Sequence, residues 1–159
     1  MKILAIDPGP TESAYCVIDG DTYKPIEFGK VDNQTLLSLI KIYSDYTYAE
    51  LPLTLLIEMI ASYGMPVGKE VFDTCVWIGR FIERGLDKFD NIEYVYRKDV
   101  KINLCNSLKA KDSNIRCALI DRFGIVGIKK NPGWFYGFKG DIWSAYAIGV
   151  TYLDNLSEK

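Results

Sequence analysis

Three acidic residues stand at positions where a chain often places functional side chains. Asp7 ends the apolar stretch 2–7 and is followed by Pro8-Gly9, Glu58 ends the apolar stretch 53–58, and Asp141 begins the apolar stretch 141–153. The chain contains no histidine, so a His-based triad, an imidazole base and a zinc–histidine site are all excluded. Hydrolytic chemistry in this chain would have to use carboxylates, lysine, tyrosine, hydroxyls, thiols or a bound metal, which favours a hard cation with oxygen ligands.

The first two acids are predicted to meet at one edge of a sheet. Residues 2–7 and 53–58 are typical of buried strands, and if these strands are parallel neighbours, Asp7 and Glu58 lie together at their carboxyl ends. Asp141 would join them from the start of a helix. Converging carboxylates repel one another unless a cation compensates them. We therefore expect Mg²⁺, with Mn²⁺ as a substitute, and two ions about 4 Å apart that activate a water and steady the leaving 3′ oxygen of a phosphodiester.

Each acid also has a purely structural explanation. Asp7-Pro8-Gly9 is a common turn sequence, Glu58 is compatible with an exposed strand end, and Asp141 suits a helix cap. Their joint placement at three element ends favours the functional interpretation.

Hydrophobic periodicity predicts one α/β domain over residues 1–159. A meander of three strands is followed by alternating helices and strands, which gives a mixed five-stranded sheet with helices on both faces. The predicted strands are 2–7, 13–19, 22–30, 53–58 and 91–96, with a hairpin at 18–23; the predicted helices are 33–48, 67–86, 99–106, 112–123 and 141–153, and 124–140 is predicted to be a loop.

Charge is distributed unevenly along the chain. Residues 1–96 carry 8 Lys/Arg and 15 Asp/Glu, whereas residues 97–139 carry 10 Lys/Arg and 3 Asp/Glu. A basic segment after an acidic body suits a protein that holds cations on one face and phosphates on another. The sequence has no apolar run of about 18 residues and no signal-peptide pattern, so we expect no membrane segment and a cytoplasmic location.

Three motifs in order resemble one family. Residues 6–9 with 14–18, residues 56–58 with the loop and long helix that follow, and residues 140–149 are similar to motifs of RuvC-type Holliday junction resolvases. The resemblance spans nearly the whole chain. It implies an RNase H-like fold, a homodimer, and Mg²⁺-dependent cleavage of four-way DNA junctions in a bacterial cell or a phage-infected host.

The resemblance also assigns individual residues. It implies that Asp7, Glu58 and Asp141 bind the metal and that Lys101 and Lys111 lie near the scissile phosphate. The family carries a second acid three residues after the one matched by Asp141; here that position is Ser144, which, or a water, is expected to complete the metal coordination. The family also places a junction-opening aromatic near position 61, and Tyr63 is the candidate substitute for it.

Further basic and aromatic residues are candidates for contact with DNA or a second subunit. The predicted phosphate ligands are Arg97, Lys98, Lys101, Lys109, Lys111, Lys129, Lys130 and Lys139. Residues 134–136 (Trp-Phe-Tyr) are compatible with base stacking or with a hydrophobic plug. The helix 67–86 is compatible with a dimer surface through positions such as Val71, Cys75 and Ile78, or with packing on its own sheet.

Three other functions remain open at this point. The same metal site would serve a nuclease acting on forks, flaps or structured RNA. Ser144 is compatible with a DNA-binding relative that has lost catalysis. A nucleotide-binding domain of the actin and sugar-kinase type also begins with an Asp-x-Gly turn, although it requires two domains and a Thr/Gly-rich phosphate loop that this sequence does not show.

Overall fold

A mixed sheet of five strands is the centre of the computed structural model, which describes residues 1–158. The strands of this sheet are β1 (Lys2–Asp7), β2 (Glu12–Asp19), β3 (Pro25–Asp32), β4 (Leu53–Met59) and β5 (Asn91–Tyr96). The helices are α1 (Asn33–Ile42), which continues as a π-helical turn over Tyr43–Thr47, α2 (Lys69–Gly85), α3 (Arg97–Cys105), α4 (Asp112–Phe123) and α5 (Ile142–Ser157). A short hairpin of β6 (Gly127–Ile128) and β7 (Asn131–Pro132) lies between α4 and α5.

The order of the strands confirms the predicted topology. The sheet runs β3-β2-β1-β4-β5, with the meander β1–β2–β3 antiparallel and β4 parallel to both β1 and β5. The parallel pairs follow from the long connections through α1 and α2, since a parallel strand needs a crossover. The α/β class and the mixed five-stranded sheet expected from the sequence are confirmed.

Helices cover both faces of the sheet. Side chains of alternate residues on β1 point to opposite faces, so Ile3 and Ala5 join the core beneath α5, whereas Leu4 and Ile6 join the core beneath α1 and α2. Helices α3 and α4 contribute to the first of these cores through Val100, Ile115 and Leu119. None of the helices within residues 1–158 is long and apolar enough to cross a membrane.

Helix α5 packs so closely on the sheet that one position accepts only glycine. A Cβ atom at Gly149 would lie 2.2 Å from Cδ1 of Ile18 and 3.7 Å from Cβ of Ala5. Ile18 is fully buried, so its side chain has little room to move aside. Close contact at Gly149 sets the height of α5 above β1 and β2, and hence the position of Asp141 at the start of the helix.

Two predicted segments differ from the structure. Strand β3 begins at Pro25 rather than residue 22, because Asp19 accepts hydrogen bonds from the backbone of Asp21 and Thr22 and thereby lengthens the turn. The predicted loop 124–140 contains the β6–β7 hairpin.

We expect Gly149→Ala to lower the free energy of unfolding by about 1–3 kcal/mol, because an added methyl group overpacks a filled core. Ile18→Val removes the Cδ1 atom that the new Cβ would meet. In urea unfolding, the double variant should therefore lose less stability than the sum of the two single variants. Strict additivity would show that the contact between α5 and β2 is looser than described.

Candidate active site

Asp7 and Glu58 are neighbours at the carboxyl ends of parallel strands. The β1–β4 ladder ends at the pair Ile6–Ile57, so Asp7 and Glu58 are the next residues in register. Asp7 and Glu58 lie two residues after Ala5 and Leu56 on the same strands, so their side chains point to the same face of the sheet. The side chains of Ala5 and Leu56 lie in the core beneath α5. Both carboxylates therefore point to the α5 side of the sheet edge, as the sequence predicted.

The turn after Asp7 is held by a buried polar network. The Gly9 backbone N–H donates to Ser13 Oγ over 3.1 Å, and Ser13 Oγ donates to Asn33 Oδ1 over 2.6 Å. The Asn33 side-chain amide in turn donates to the Gly9 carbonyl over 2.9 Å. A Cβ at Gly9 would lie 2.3 Å from the carbonyl oxygen of Glu12, so this tight return requires glycine. The backbone that follows Asp7 is therefore held rigidly.

Asp141 occupies the N-cap position of α5 but does not cap the helix. Its side chain makes no hydrogen bond to the helix backbone. Instead, Asp141 Oδ2 accepts a hydrogen bond from Lys30 Nζ over 2.7 Å. The structural explanation of Asp141 as a helix cap therefore fails. Lys30, which the sequence did not single out, is a member of this cluster.

Arg97 lies between the acids of two other elements. Its Nη1 is 4.0 Å from Glu58 Oε1 and donates to Ser144 Oγ over 3.4 Å, while its Nη2 is bound to Asp112 at the start of α4. Arg97 directly follows β5, which places it beside Glu58 across the β4–β5 pair. Ser144, expected to complete a metal site, is thus in contact with a cation.

The electrostatics of the cluster are those of crowded carboxylates. Burial, reinforced by the negative charges of Glu58 and Asp141, raises the pKa of Asp7 to about 8, against the opposing charges of Arg97 and Lys30. Burial also raises the pKa of Glu58, which Arg97 partly offsets. Burial and the neighbouring negative charges therefore disfavour the ionised forms of Asp7 and Glu58.

The pair Asp7 and Glu58 fits a divalent cation. Two buried carboxylates that resist ionisation are the oxygen donors that Mg²⁺ and Mn²⁺ bind, and the ion would supply the missing charge. As their side chains are placed, however, no three Asp, Glu, His or Cys residues among residues 1–158 form a group that could hold a metal ion. A third ligand from Asp141 would require its carboxylate to leave Lys30.

Two adjoining cavities open at the cluster and share Arg97. One, of about 180 Å³, is lined by Asp7, Glu58 and Tyr63 among others. The other, of about 370 Å³, lies between the starts of α4 and α5 and is lined by Asp112, Arg116, Asp141 and Ser144 among others. Tyr63 is 71% exposed at the mouth of the first cavity, in the region where the sequence placed it.

The predicted basic residues are distributed over several parts of the molecule. Lys101 lies one turn after Arg97 on α3, and Lys111 directly precedes Asp112, so both are close in sequence to the cluster. Lys98 lines a separate groove with Asn155 and Glu158 at the other end of α5. Lys109 is exposed in the turn between α3 and α4.

The structure separates two of the predicted phosphate ligands from the carboxylates. Lys129 and Lys130 form the tip of the β6–β7 hairpin, which follows the end of α4 at Phe123. The Phe123 ring lies 5.7 Å from that of Tyr23, in the β2–β3 turn at the opposite end of the sheet from Asp7. Helix α4 therefore carries the chain away from the site before the hairpin begins.

The aromatic run 134–136 is largely a hydrophobic plug. Phe135 is fully buried, and the Trp134 ring stacks on Phe123 with a centroid distance of 5.4 Å. Trp134 Nε1 donates to the Tyr146 hydroxyl over 3.1 Å. Of the three residues, only Tyr136 is exposed to solvent, so base stacking by Trp134 and Phe135 is not supported.

Comparison with solved structures shows which fold this is. Thermus thermophilus RuvC matches with a TM-score of 0.68 at 14% sequence identity, over 99% of this chain and 97% of that one. The same protein in complex with a Holliday junction substrate matches with a TM-score of 0.69 at 14% identity, over 99% and 96% of the two chains. The fowlpox virus Holliday junction resolvase matches with a TM-score of 0.57 at 18% identity, over 98% and 99%.

The likeness confirms the resemblance to RuvC-type resolvases at the level of the fold. The fold is common to these proteins over almost the full length of each chain, although few residues are identical. No sequence-family model matches the chain, and no curated protein shows significant sequence similarity to it.

The Lys30–Asp141 ion pair yields a test of the site. We expect Lys30→Met to tighten Mn²⁺ binding, because the variant frees Asp141 and removes a competing positive charge. The gain should be at most about fivefold, since a half-exposed ion pair contributes at most about 1 kcal/mol. Isothermal titration calorimetry in the absence of DNA measures the Mn²⁺ affinity.

Lys24→Met is the matched control. Lys24 is an exposed lysine in the β2–β3 turn, at the opposite end of the same hairpin, and its loss should leave Mn²⁺ affinity unchanged. Weaker Mn²⁺ binding by Lys30→Met would contradict the role of Lys30 as a competitor for Asp141.

Proposed function

We propose that this protein is a Mg²⁺-dependent endonuclease that cuts four-way DNA junctions. The observation that carries the proposal is the meeting of Asp7 and Glu58, with Asp141 nearby, at one edge of the sheet, where burial and mutual repulsion disfavour the ionised form of Asp7. The fold that presents them is similar to that of a protein whose structure was solved with a Holliday junction substrate.

The proposed reaction is hydrolysis of a phosphodiester. The oxygen of a water forms a bond to phosphorus, the bond to the 3′ oxygen breaks, and that oxygen leaves as a hydroxyl after taking up a proton. A bound Mg²⁺ would polarise the phosphate and lower the pKa of the attacking water. Asp7 and Glu58 would hold the ion, and Asp141 would join them when it leaves Lys30.

Basic side chains around the two cavities suit a phosphate backbone. Arg97 and Arg116 line the cavities, and Lys101 and Lys111 flank them in sequence. Such contacts would give affinity that falls with salt rather than sequence preference. Tyr63, exposed at the cavity mouth, is proposed to stack on a base at the branch point.

We infer that the active form is a homodimer, because two paired nicks in a junction need two sites. Helix α2 offers the surface: Phe72 and Val76, one turn apart, are each 63% exposed. Of the positions suggested by sequence, Cys75 is exposed and Val71 half-buried, whereas Ile78 is buried against its own sheet and does not contribute. Large apolar side chains that are exposed on successive turns of one helix are typical of an interface.

One observation favours a second candidate function. Asp141 is paired with Lys30, and Ser144 stands where an acid was expected, so a relative that binds branched DNA without cutting it is the alternative. Metal-dependent cleavage decides between the two. Cleavage rates on a four-way junction, a fork, a flap, a duplex and a structured RNA would show which of these substrates the site prefers.

We expect Asp7→Asn to reduce Mg²⁺-dependent nicking of a four-way junction to background, because the variant loses a metal-binding carboxylate. Junction binding measured in Ca²⁺ should remain largely intact, since Asp7 contacts the metal rather than the DNA. Asp19→Asn, an acid at the opposite end of the sheet, is the control and should cut normally. Equal cutting by Asp7→Asn and the parent would remove the carboxylate assignment.

We expect the double variant Phe72→Glu/Val76→Glu to be monomeric, because two added charges on each subunit would repel across a symmetric interface. Sedimentation velocity measures the change. Ile26→Glu, which places a charge at a 44% exposed apolar position of β3, is the control and should stay dimeric. A parent that is monomeric at micromolar concentration, or that stays dimeric with both substitutions, would rule out this surface.

A further inference from the structure

Ser144 and Arg97 occupy the part of the site where a second metal ion would need ligands. Ser144 lies one turn after Asp141 on α5, so both side chains face the same cavity. Ser144 Oγ accepts a hydrogen bond from Arg97 Nη1 over 3.4 Å. A neutral hydroxyl paired with a cation is a poor ligand for a divalent ion.

Arg97 is fixed in this position from three sides. Its guanidinium is bound to Asp112 from α4, contacts Ser144 on α5, and lies 4.0 Å from Glu58 on β4. An arginine side chain keeps its charge at every pH at which the protein is folded. The site therefore contains a permanent positive charge beside Glu58.

The local charge balance leaves room for one divalent ion. Three cations face five carboxylates, and these groups are Arg97, Lys30 and Arg116 against Asp7, Glu58, Asp112, Asp141 and Glu12, whose charge acts on Lys30. When all are ionised, two negative charges remain, which a single divalent ion neutralises. Two divalent ions would instead leave the cluster with two positive charges in excess.

We propose that the site binds one divalent ion, on Asp7 and Glu58, and that Arg97 supplies the positive charge that a second ion would otherwise bring. This replaces the two ions expected from the sequence. Arg97 lines both cavities, so a phosphate group in either one meets its guanidinium. Its planar N–H groups suit two oxygens of a phosphodiester. The phosphate contact rests on the proposed function, whereas the ion count does not.

Mn²⁺ binding without DNA tests the ion count. Calorimetry should give one Mn²⁺ per chain for the parent, and the electron paramagnetic resonance spectrum should be that of an isolated ion. The double variant Arg97→Gln/Ser144→Asp removes the fixed cation and restores an acid, so it should bind two Mn²⁺ with an exchange-coupled spectrum. Arg97→Lys keeps the charge and should still bind one.

Two results would overturn the proposal. The first is two coupled Mn²⁺ ions in the parent; the second is a single ion in the double variant when its circular dichroism and melting curve match those of the parent. Because both measurements omit DNA, failure of the protein to cut junctions would not change them.

A cleavage assay tests the phosphate contact separately. Loss of a donor that stabilises the transition state lowers kcat by about 100-fold or more, so Arg97→Gln should show such a loss in Mg²⁺ while its junction affinity changes far less. Lys24→Gln removes one positive charge at the far end of the molecule and should cut like the parent. A loss of affinity without a loss of kcat would assign Arg97 to substrate binding only and contradict its role at the reacting phosphate.

Discussion

Parallel pairing of β1 with β4 is the constraint on which the site depends. Residues 3–6 of β1 and 53–57 of β4 are buried between α5 and the α1–α2 layer. The observed register pairs Lys2 with Leu53 through to Ile6 with Ile57, and a slip of one residue would turn every side chain of one strand to the opposite face. Asp7 and Glu58 are brought together because they are the next residues in this register.

Such enforced proximity has an electrostatic cost that the protein offsets with its own cations. Arg97 opposes the repulsion at Glu58, and Lys30 neutralises Asp141. Each comes from a different element, Lys30 from β3 and Arg97 from the start of α3, so the compensation depends on the completed fold. These two ion pairs reduce the repulsion among the acids at the sheet edge.

The sequence predicted where the acidic residues lie better than it predicted which cations pair with them. Strand patterns and motif order were sufficient to place Asp7 beside Glu58, since period-two alternation and parallel pairing are local rules. Lys30 was missed because β3 was expected to begin at residue 22, and the register that aligns Lys30 with Ala14, and Ala14 with Asp7, depends on the longer turn. Arg97 was expected to contact phosphate, but its bond to Asp112 joins two helices through tertiary packing that no periodicity reveals.

The basic hairpin shows a different limit of sequence reasoning. Lys129 and Lys130 belong to the same positively charged stretch as Arg97, yet α4 places them at the other end of the sheet. The sequence predicted that both lysines contact phosphate, but its charge pattern does not show how far from the carboxylates they lie. A helix of 12 residues displaces its two ends by about 18 Å, which is enough to separate a charge cluster into two surfaces.

The hydrogen bonds among Gly9, Ser13 and Asn33 make the carboxylates unequal in their freedom to move. Asp7 directly precedes a turn held by hydrogen bonds, whereas Asp141 is exposed and held only by a lysine. Ordering a side chain on binding costs entropy, and a preorganised ligand avoids that cost. A metal ion would therefore bind first at Asp7, which is already ordered. The entropic cost of ordering a side chain would then arise only at Asp141.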